Sequence, residues 1–378
     1  MGALSGFKII ELSGIGPGPL CGMLLADLGA EVIRIDRGST AMPQVQAKFD
    51  ITGRNKKSIC LNLKEDASKE IFFKLIKDAD ALIEGYRPGV TEKLGIGPDD
   101  CFKLNPKLVY GRITGWGQTG PLSQAAGHDI NYIALAGALF SICSKDSKPT
   151  IPINLIGDYG GGTMFLAFGV CAALLSASKT GKGQVVDVAM IDGVSSLMTI
   201  LYTLSQSGVW NLENKGSNLL DGGAPFYQVY ETKDNKYISI GSLEPQFYQL
   251  LIQKLELGDE FNNQMDVENW PALISKLESL FKTKTQEEWN EILEKTDVCY
   301  SPVLSIDEAK NHTHMKERDN FIAIDSVIQP SPSPRFSSTK SDIPIKAPSV
   351  GENNEEILLE LGYSKNQIDE FKINKIIK

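Results

Sequence analysis

An α/β fold built on a parallel sheet is the expectation for this 378-residue chain, and three features of its sequence predict it. Short runs of buried-type residues alternate with helical stretches through the first 115 residues. The first strand, crossover helix and second strand fit into about 30 residues, the length of a βαβ unit. Turn residues follow the strands at their C-terminal ends, where open sheets bind ligands. A parallel sheet with right-handed crossovers follows.

Taken in order, Phe7-Lys8-Ile9-Ile10-Glu11-Leu12 reads as a buried strand. The glycine-rich turn Ser13-Gly14-Ile15-Gly16-Pro17-Gly18-Pro19 leads into a small-residue helix over 20–28. Gly29-Ala30 stops it before a second strand, Glu31-Val32-Ile33-Arg34-Ile35-Asp36. Residues 56–63 read as a strand, 65–77 as an amphipathic helix, 81–84 and 108–113 as further strands. A helix is expected over 133–140, after the loop that carries His128. Residues 159–177 are apolar on every face, so that helix should be buried all round. Residues 184–188 are a strand and 192–207 a helix.

The texture then changes. Residues 224–241 read as two strands around Lys233-Asp234-Asn235, followed by helices over 245–255, 270–282 and 285–295 and an exit at Ser301-Pro302-Val303-Leu304. Residues 329–348, rich in Pro and Ser, read as an extended linker, and 354–362 as a closing helix. The expected division is a large domain over 1–200, a linker over 201–224, a small domain over 225–325, and a linker with return of the chain over 326–378.

Composition excludes several classes. With 38 Lys and Arg against 47 Asp and Glu, net charge is −9, which argues against nucleic acid or an anionic membrane surface as partner. A site for an anionic small molecule must therefore be local. His128, His312 and His314 are the only histidines, and the six cysteines stand singly with no C-x-x-C pair, so no metal site or disulfide framework is expected. A reducing compartment fits. The sequence shows no secretory leader, myristoylation signal or terminal S-K-L address. The apolar run over 164–175 is shorter than the roughly 20 residues a membrane span needs.

Gly14-x-Gly16 after the first strand, with Asp36 about 20 residues on, suggests a dinucleotide site. It fails at the third glycine, because Pro19 and Cys21 stand where one is required. Arg37, just past the second strand, suits a phosphate or a stacked adenine. Arg54, Lys56, Lys57, Lys64, Arg87 and Lys93 also lie beside turns and could gather around a polyanion, or simply be solvated surface charge. His128 lies in a glycine-rich loop, and Asp158 opens the helix that begins Tyr159-Gly160-Gly161-Gly162. Asp158 alone reads as an N-cap. Three glycines in the first turn each cost roughly 1 kcal/mol of helix propensity, and a ligand lying close to the helix start would account for them.

Several long motifs then converge on one family. They are the Ser13 to Pro19 turn, Leu28-Gly29-Ala30-Glu31-Val32-Ile33-Arg34-Ile35-Asp36-Arg37, Glu84-Gly85-Tyr86-Arg87-Pro88-Gly89-Val90 and Gly127-His128-Asp129-Ile130-Asn131-Tyr132. Gly157-Asp158, Leu220-Asp221-Gly222-Gly223-Ala224-Pro225-Phe226-Tyr227 and Glu244-Pro245-Gln246-Phe247-Tyr248 join them. Together they resemble the alpha-methylacyl-CoA racemase family of the family III CoA-transferase superfamily, over nearly the whole chain. The resemblance implies a Rossmann-like large domain made by both chain ends, an inserted smaller α+β domain, and an interlaced homodimer.

For chemistry it implies interconversion of (2R)- and (2S)-2-methylacyl-CoA thioesters through an enolate. His128 and Asp158 would be the acid/base pair, Glu244 would orient His128, and Asn154 would hold Asp158. The backbone N–H of Asp158 would bind the enolate oxygen. CoA would meet Arg37, Leu61, Asn62, Leu63, Lys64, Gly85, Tyr86, Arg87, Lys93, Gly127, His128, Asp129, Ile130, Asn131 and Tyr132. Position 93 is expected to be Arg, so Lys93 keeps the charge but loses the bidentate fork. No metal and no separate cofactor are implied, CoA being part of the substrate. The alternative is a CoA-transferase of the same superfamily with Asp158 as nucleophile. Those enzymes lack a histidine in the loop where His128 stands. The resemblance implies a peroxisome or mitochondrion as compartment, and the sequence shows no signal for either, which leaves the cytoplasm open.

Overall fold

The structure, a computed structural model, describes residues 2–38, 46–145 and 147–377. Two compact units divide the chain: Met1–Ala136, Ile153–Leu197 and Asp319–Lys378 form the first, Gly137–Pro152 and Met198–Arg318 the second. Residues 137–152, expected within the large domain over 1–200, belong to the second unit.

The first unit is organised by a six-stranded sheet. Its strands are β1 (Lys8–Leu12), β2 (Glu31–Asp36), β3 (Lys56–Cys60), β4 (Ala81–Glu84), β5 (Val109–Thr114) and β6 (Gln184–Ala189), in the order β3-β2-β1-β4-β5-β6. Every pairing is parallel, as expected. The chain winds outward from β1 to β3 and then crosses back to β4, so the order reverses between β1 and β4. Ligands of open α/β sheets bind at such a switch point, outside the C-terminal strand ends.

Side-chain alternation along the strands builds two cores. Ile10, Leu12, Ile33, Ile35, Leu82 and Tyr110 face helices Asp66–Lys77, Asn354–Glu360 and Lys365–Ile373. Ile9, Val32, Ala81, Ile83 and Val109 face helices Pro17–Asp27 and Met164–Thr180. The C-terminal segment also covers the open edge of β3. Asn353 and Asn354 accept the Ser58 and Cys60 N–H groups at 2.9 and 2.8 Å, satisfying an edge that would otherwise be free to pair.

The second unit carries an antiparallel sheet, β7 (Tyr227–Glu231), β8 (Tyr237–Gly241) and β9 (Tyr300–Val303). The segment read as an exit is thus a strand, and Pro302 is tolerated because β9 lies at the sheet's edge. Helices Pro245–Leu255, Trp270–Phe281 and Gln286–Leu293 pack on it around Phe226, Tyr248, Trp270, Phe281 and Trp289. Back in the first unit, β10 (Phe321–Ile324) and β11 (Val327–Pro330) form a hairpin within residues expected to end the small domain and begin the linker.

Four further expectations are corrected. The helix over 133–140 is two pieces, Asp129–Leu135 and Ala138–Ser141, separated by Gly137 at φ 84°, a left-handed position that ends a helix. The helix after Asp158 is not buried all round: Leu166, Val170, Ala173 and Leu174 face the core, whereas Met164, Phe168 and Leu175 are exposed. The helical stretch Leu155–Thr180 is 26 residues, long and apolar enough by length and composition to cross a membrane, whereas the apolar run over 164–175 alone is too short. A last helix, Lys365–Ile373, follows the expected closing helix, with Ser364 and Gln367 forming a capping box at its start.

Candidate active site

Several of the residues read from the sequence fall on the C-terminal edge of the sheet around the switch point. Arg37 directly follows β2, Leu61, Asn62, Leu63 and Lys64 follow β3, and Gly85, Tyr86 and Arg87 follow β4. The Arg37 guanidinium stacks on the Tyr86 ring at 4.5 Å to the centroid, bridging loops on either side of β1. Arg37, Lys64, Arg87 and Lys93 are exposed, and among the described residues none makes an ion pair. Arg54 and Lys56, which the sequence reading placed with them, are buried and paired. Arg54 meets Asp27 at 2.5 Å, and Lys56 meets Glu11 at 2.6 Å. Lys57 is paired with Glu31, Glu356 and Glu360.

The loop over 115–128 hangs from the end of β5. Trp116 and Tyr132 meet edge to face at 4.8 Å, and the Tyr132 hydroxyl donates to the Gly127 carbonyl. A Cβ at Gly115 or Gly127 would strike the Tyr132 ring, so the glycines let loop and ring meet. Gln124 donates to the Pro88 carbonyl at 3.2 Å, joining this loop to the one after β4. Arg87 is near enough to act electrostatically on Tyr132. At the end of the loop, His128 is the exposed N-cap of helix Asp129–Leu135, its N–H donating to Asn131 Oδ1 at 3.0 Å.

Asp158 arrives from a different element. It does not cap its helix as expected: the helix begins three residues earlier, as a wide π-helical stretch Leu155–Thr163 that runs on into Met164–Thr180. Such turns recur at functional sites. The glycines there serve packing. A Cβ at Gly161 would lie 2.8 Å from the Met190 carbonyl oxygen, and one at Gly193 would lie 2.0 Å from the Gly161 oxygen, so the helix Met190–Leu197 crosses at backbone contact. This replaces the expectation that the glycines clear space for a ligand. Thr163 donates to the Pro17 carbonyl at 2.9 Å, and a Cβ at Gly16 would lie 3.5 Å from Asp158 Oδ2. The carboxyl therefore sits beside the β1 loop, at the switch point.

Asp158 is half-buried, and burial pushes its carboxyl above the ordinary range. Asn154, donating to Oδ2 at 3.1 Å, acts the other way. The nearby Asp129 charge raises it further, while His128 opposes. The Asp158 N–H is donated to Asp129 Oδ2 at 2.7 Å, so it is not the free donor expected for an enolate oxygen. His128, Asp129, Asn154 and Asp158 thus form one group, with Ile130, Asn131 and Tyr132 on the helix beside it. Glu244 is the exposed N-cap of helix Pro245–Leu255 in the second unit. The Asp129 link joins positions 29 apart in sequence, which no local spacing reveals. No group of three or more His, Cys, Asp or Glu able to hold a metal occurs among the described residues.

Chemically, a carboxyl held toward its protonated form and an imidazole, carried on separate elements, can act on one reacting atom as acid and base. The Arg37–Tyr86 stack, with exposed cations past the strand ends, suits a phosphorylated adenine nucleotide.

Comparison with known proteins gives the same region a context. A family model described as CoA-transferase family III matches residues 4–354. The human alpha-methylacyl-CoA racemase is 41% identical over 381 residues, covering 100% of this chain and 98% of that protein. The mouse enzyme of the same name is 40% identical, covering 99% and 97%. A crystal structure of a CAIB/BAIF family protein from Brucella suis superposes with a TM-score of 0.82 at 25% identity, covering 95% of this chain and 99% of that one.

Proposed function

The chain belongs to CoA-transferase family III, and from that premise we propose that it is an isomerase, a racemase that interconverts (2R)- and (2S)-2-methylacyl-CoA thioesters. Identity of 40–41% to proteins named alpha-methylacyl-CoA racemase, over their full length, supports this reading over a CoA-transferase. The observation that carries it is that His128 and Asp158, from separate elements, are brought together through the Asp129–Asp158 hydrogen bond, with the Asp158 carboxyl held above its ordinary range by burial.

Inversion at C2 requires removal of a proton from one face and its return to the other. In one direction His128 takes the proton and protonated Asp158 delivers one; in the reverse direction the roles exchange. Burial of Asp158 keeps its proton available at a higher pH than an exposed aspartate would. Asn154 holds the carboxyl through Oδ2. Arg37 and Tyr86 hold the adenine and ribose-phosphate end, Lys64, Arg87 and Lys93 supply further charge, and residues 127–132 contact the CoA arm. The reaction uses no metal and no bound redox cofactor. The active species is a homodimer, supported by the apolar face of Met164–Thr180 left exposed in one chain. The substrate is a small molecule; nucleic acid and membrane play no part. Resemblance to the racemases supports lipid metabolism in a peroxisome or mitochondrion.

The test is incubation with a single enantiomer of a 2-methylacyl-CoA and an added carboxylate. Racemisation is expected, with CoA staying on its acyl group. Transfer of CoA to the carboxylate without racemisation would contradict the proposal.

A further inference from the structure

Asp129 is the one buried acid of the site that the acid/base scheme does not use. It is 4% exposed, and it stands between His128 and the rest of its helix. An aspartate in the first helical turn ordinarily serves its own helix through the dipole. Here Oδ2 reaches another element and accepts the Asp158 N–H at 2.7 Å, while Oδ1 is buried with no hydrogen-bond partner. Gly157 is shaped for this approach: a Cβ there would lie 2.6 Å from Asp129 Oδ2 and 3.3 Å from the Asp129 Cα. The contact is therefore built from both sides, and any larger residue at position 157 would close it.

We propose that Asp129 is a positioning residue for the reaction, fixing Asp158 through its main-chain N–H so that the two proton-transfer groups keep one spacing. This rests on the racemase reading for its catalytic meaning, though not for its geometry. His128 and Asp129 are neighbours in the chain, so a single hydrogen bond ties the backbone of one proton-transfer group to that of the other. The second consequence is electrostatic. The Asp129 carboxylate adds to burial in favouring the protonated form of Asp158. Other groups facing Asp158 do not replace it. His128 acts in the opposite sense and Asn154 is neutral; Tyr132 is a phenol whose own proton is held more tightly by burial and, secondarily, by the two aspartates. The β1 loop over 13–19 has no ionisable side chain, and Asp192 on the helix behind acts on Asp187.

The experiment uses the full chain with Asp129→Ala, Asp129→Asn and Gly157→Ala. Asp129→Ala is expected to lose about 10²-fold in kcat, the scale of a small misplacement of a reacting group, with a smaller change in KM. Asp129→Asn, whose amide oxygen can accept the same N–H, is expected to recover most of that rate. Gly157→Ala should lose rate as Asp129→Ala does. With 13C-labelled aspartate carboxyl groups, and the Asp158 signal assigned by its loss in Asp158→Asn, the Asp158 titration should move to lower pH in Asp129→Asn. A folded Asp129→Ala enzyme with unchanged kcat would overturn the proposal, as would an Asp158 titration unmoved in Asp129→Asn. Should the wild type fail to racemise, the racemase reading falls, while the titration still decides the role of Asp129.

Discussion

Two sets of basic side chains in the first unit, similar in sequence setting, have opposite fates. Arg34, Arg54, Lys56 and Arg112 lie along or beside the strands, are buried, and each meets a carboxylate within 3 Å. Arg54 ties Asp27 to Gln329 and the Pro330 carbonyl, and so fastens the returning chain to the sheet. Lys56 joins Glu11 to the Pro19 carbonyl under the β1 loop, and Gly22 leaves room, since a Cβ there would lie 1.8 Å from Glu11 Oε2. Arg37, Lys64, Arg87 and Lys93 stand past the strand ends, exposed and unpaired among the described residues. Strand interiors use cations to neutralise buried acids; past the strand ends the cations face solvent without such a partner among the described residues. An acidic chain can thus offer a local site for an anionic substrate.

The comparison can be broken first at its buried half. Arg54→Met strands Asp27, whose side chain is wholly buried, and should cost about 3–5 kcal/mol of stability in denaturant titration. Lys56→Met should cost about 3 kcal/mol at neutral pH. Glu11, which burial already pushes above the ordinary range, would then hold its proton in the fold while releasing it in the unfolded chain. The cost therefore grows as pH rises above the unfolded value and shrinks toward pH 4, a trend that unfolding at two pH values would read. A loss independent of pH would mean that Lys56 acts by packing instead.

The exposed half predicts the reverse pattern. Arg37→Ala and Arg87→Ala should each raise KM for an acyl-CoA about tenfold and change stability by less than about 0.5 kcal/mol. The wild-type KM should rise with salt, and these variants should lose part of that dependence. The smallest effect is expected of Lys93→Arg, which should lower KM by about two- to threefold by restoring a planar fork for phosphate. A stability loss in Arg37→Ala, or a KM effect in an otherwise folded Arg54→Met, would erase the distinction.

The sheet was legible because its strands are short apolar runs bounded by turn residues, and β2 and β4 have the bounds the sequence suggested. Elements whose signal is non-local were not. β9 reads as an exit segment because Pro302 masks its pairing with Ile238, 64 residues earlier. The glycines after Asp158 suggest a ligand, yet they answer a helix that arrives some 30 residues later in the chain. Whether a basic residue is paired depends on a carboxylate distant in sequence, as with Arg54 and Asp27, so Arg54 and Arg37 look alike before folding. His128 stood out because histidine is scarce. Asp129 did not, since its reach to the Asp158 backbone appears only in three dimensions.

The central claim is that His128 and Asp158 serve opposite faces of one carbon, and deuterium incorporation at C2 tests it most directly. In deuterated water, wild-type enzyme should exchange and invert either enantiomer. His128→Ala and Asp158→Ala should each abolish inversion and retain exchange, if any, for opposite enantiomers only. Inversion persisting in either variant, or no exchange in the wild type, would contradict the account.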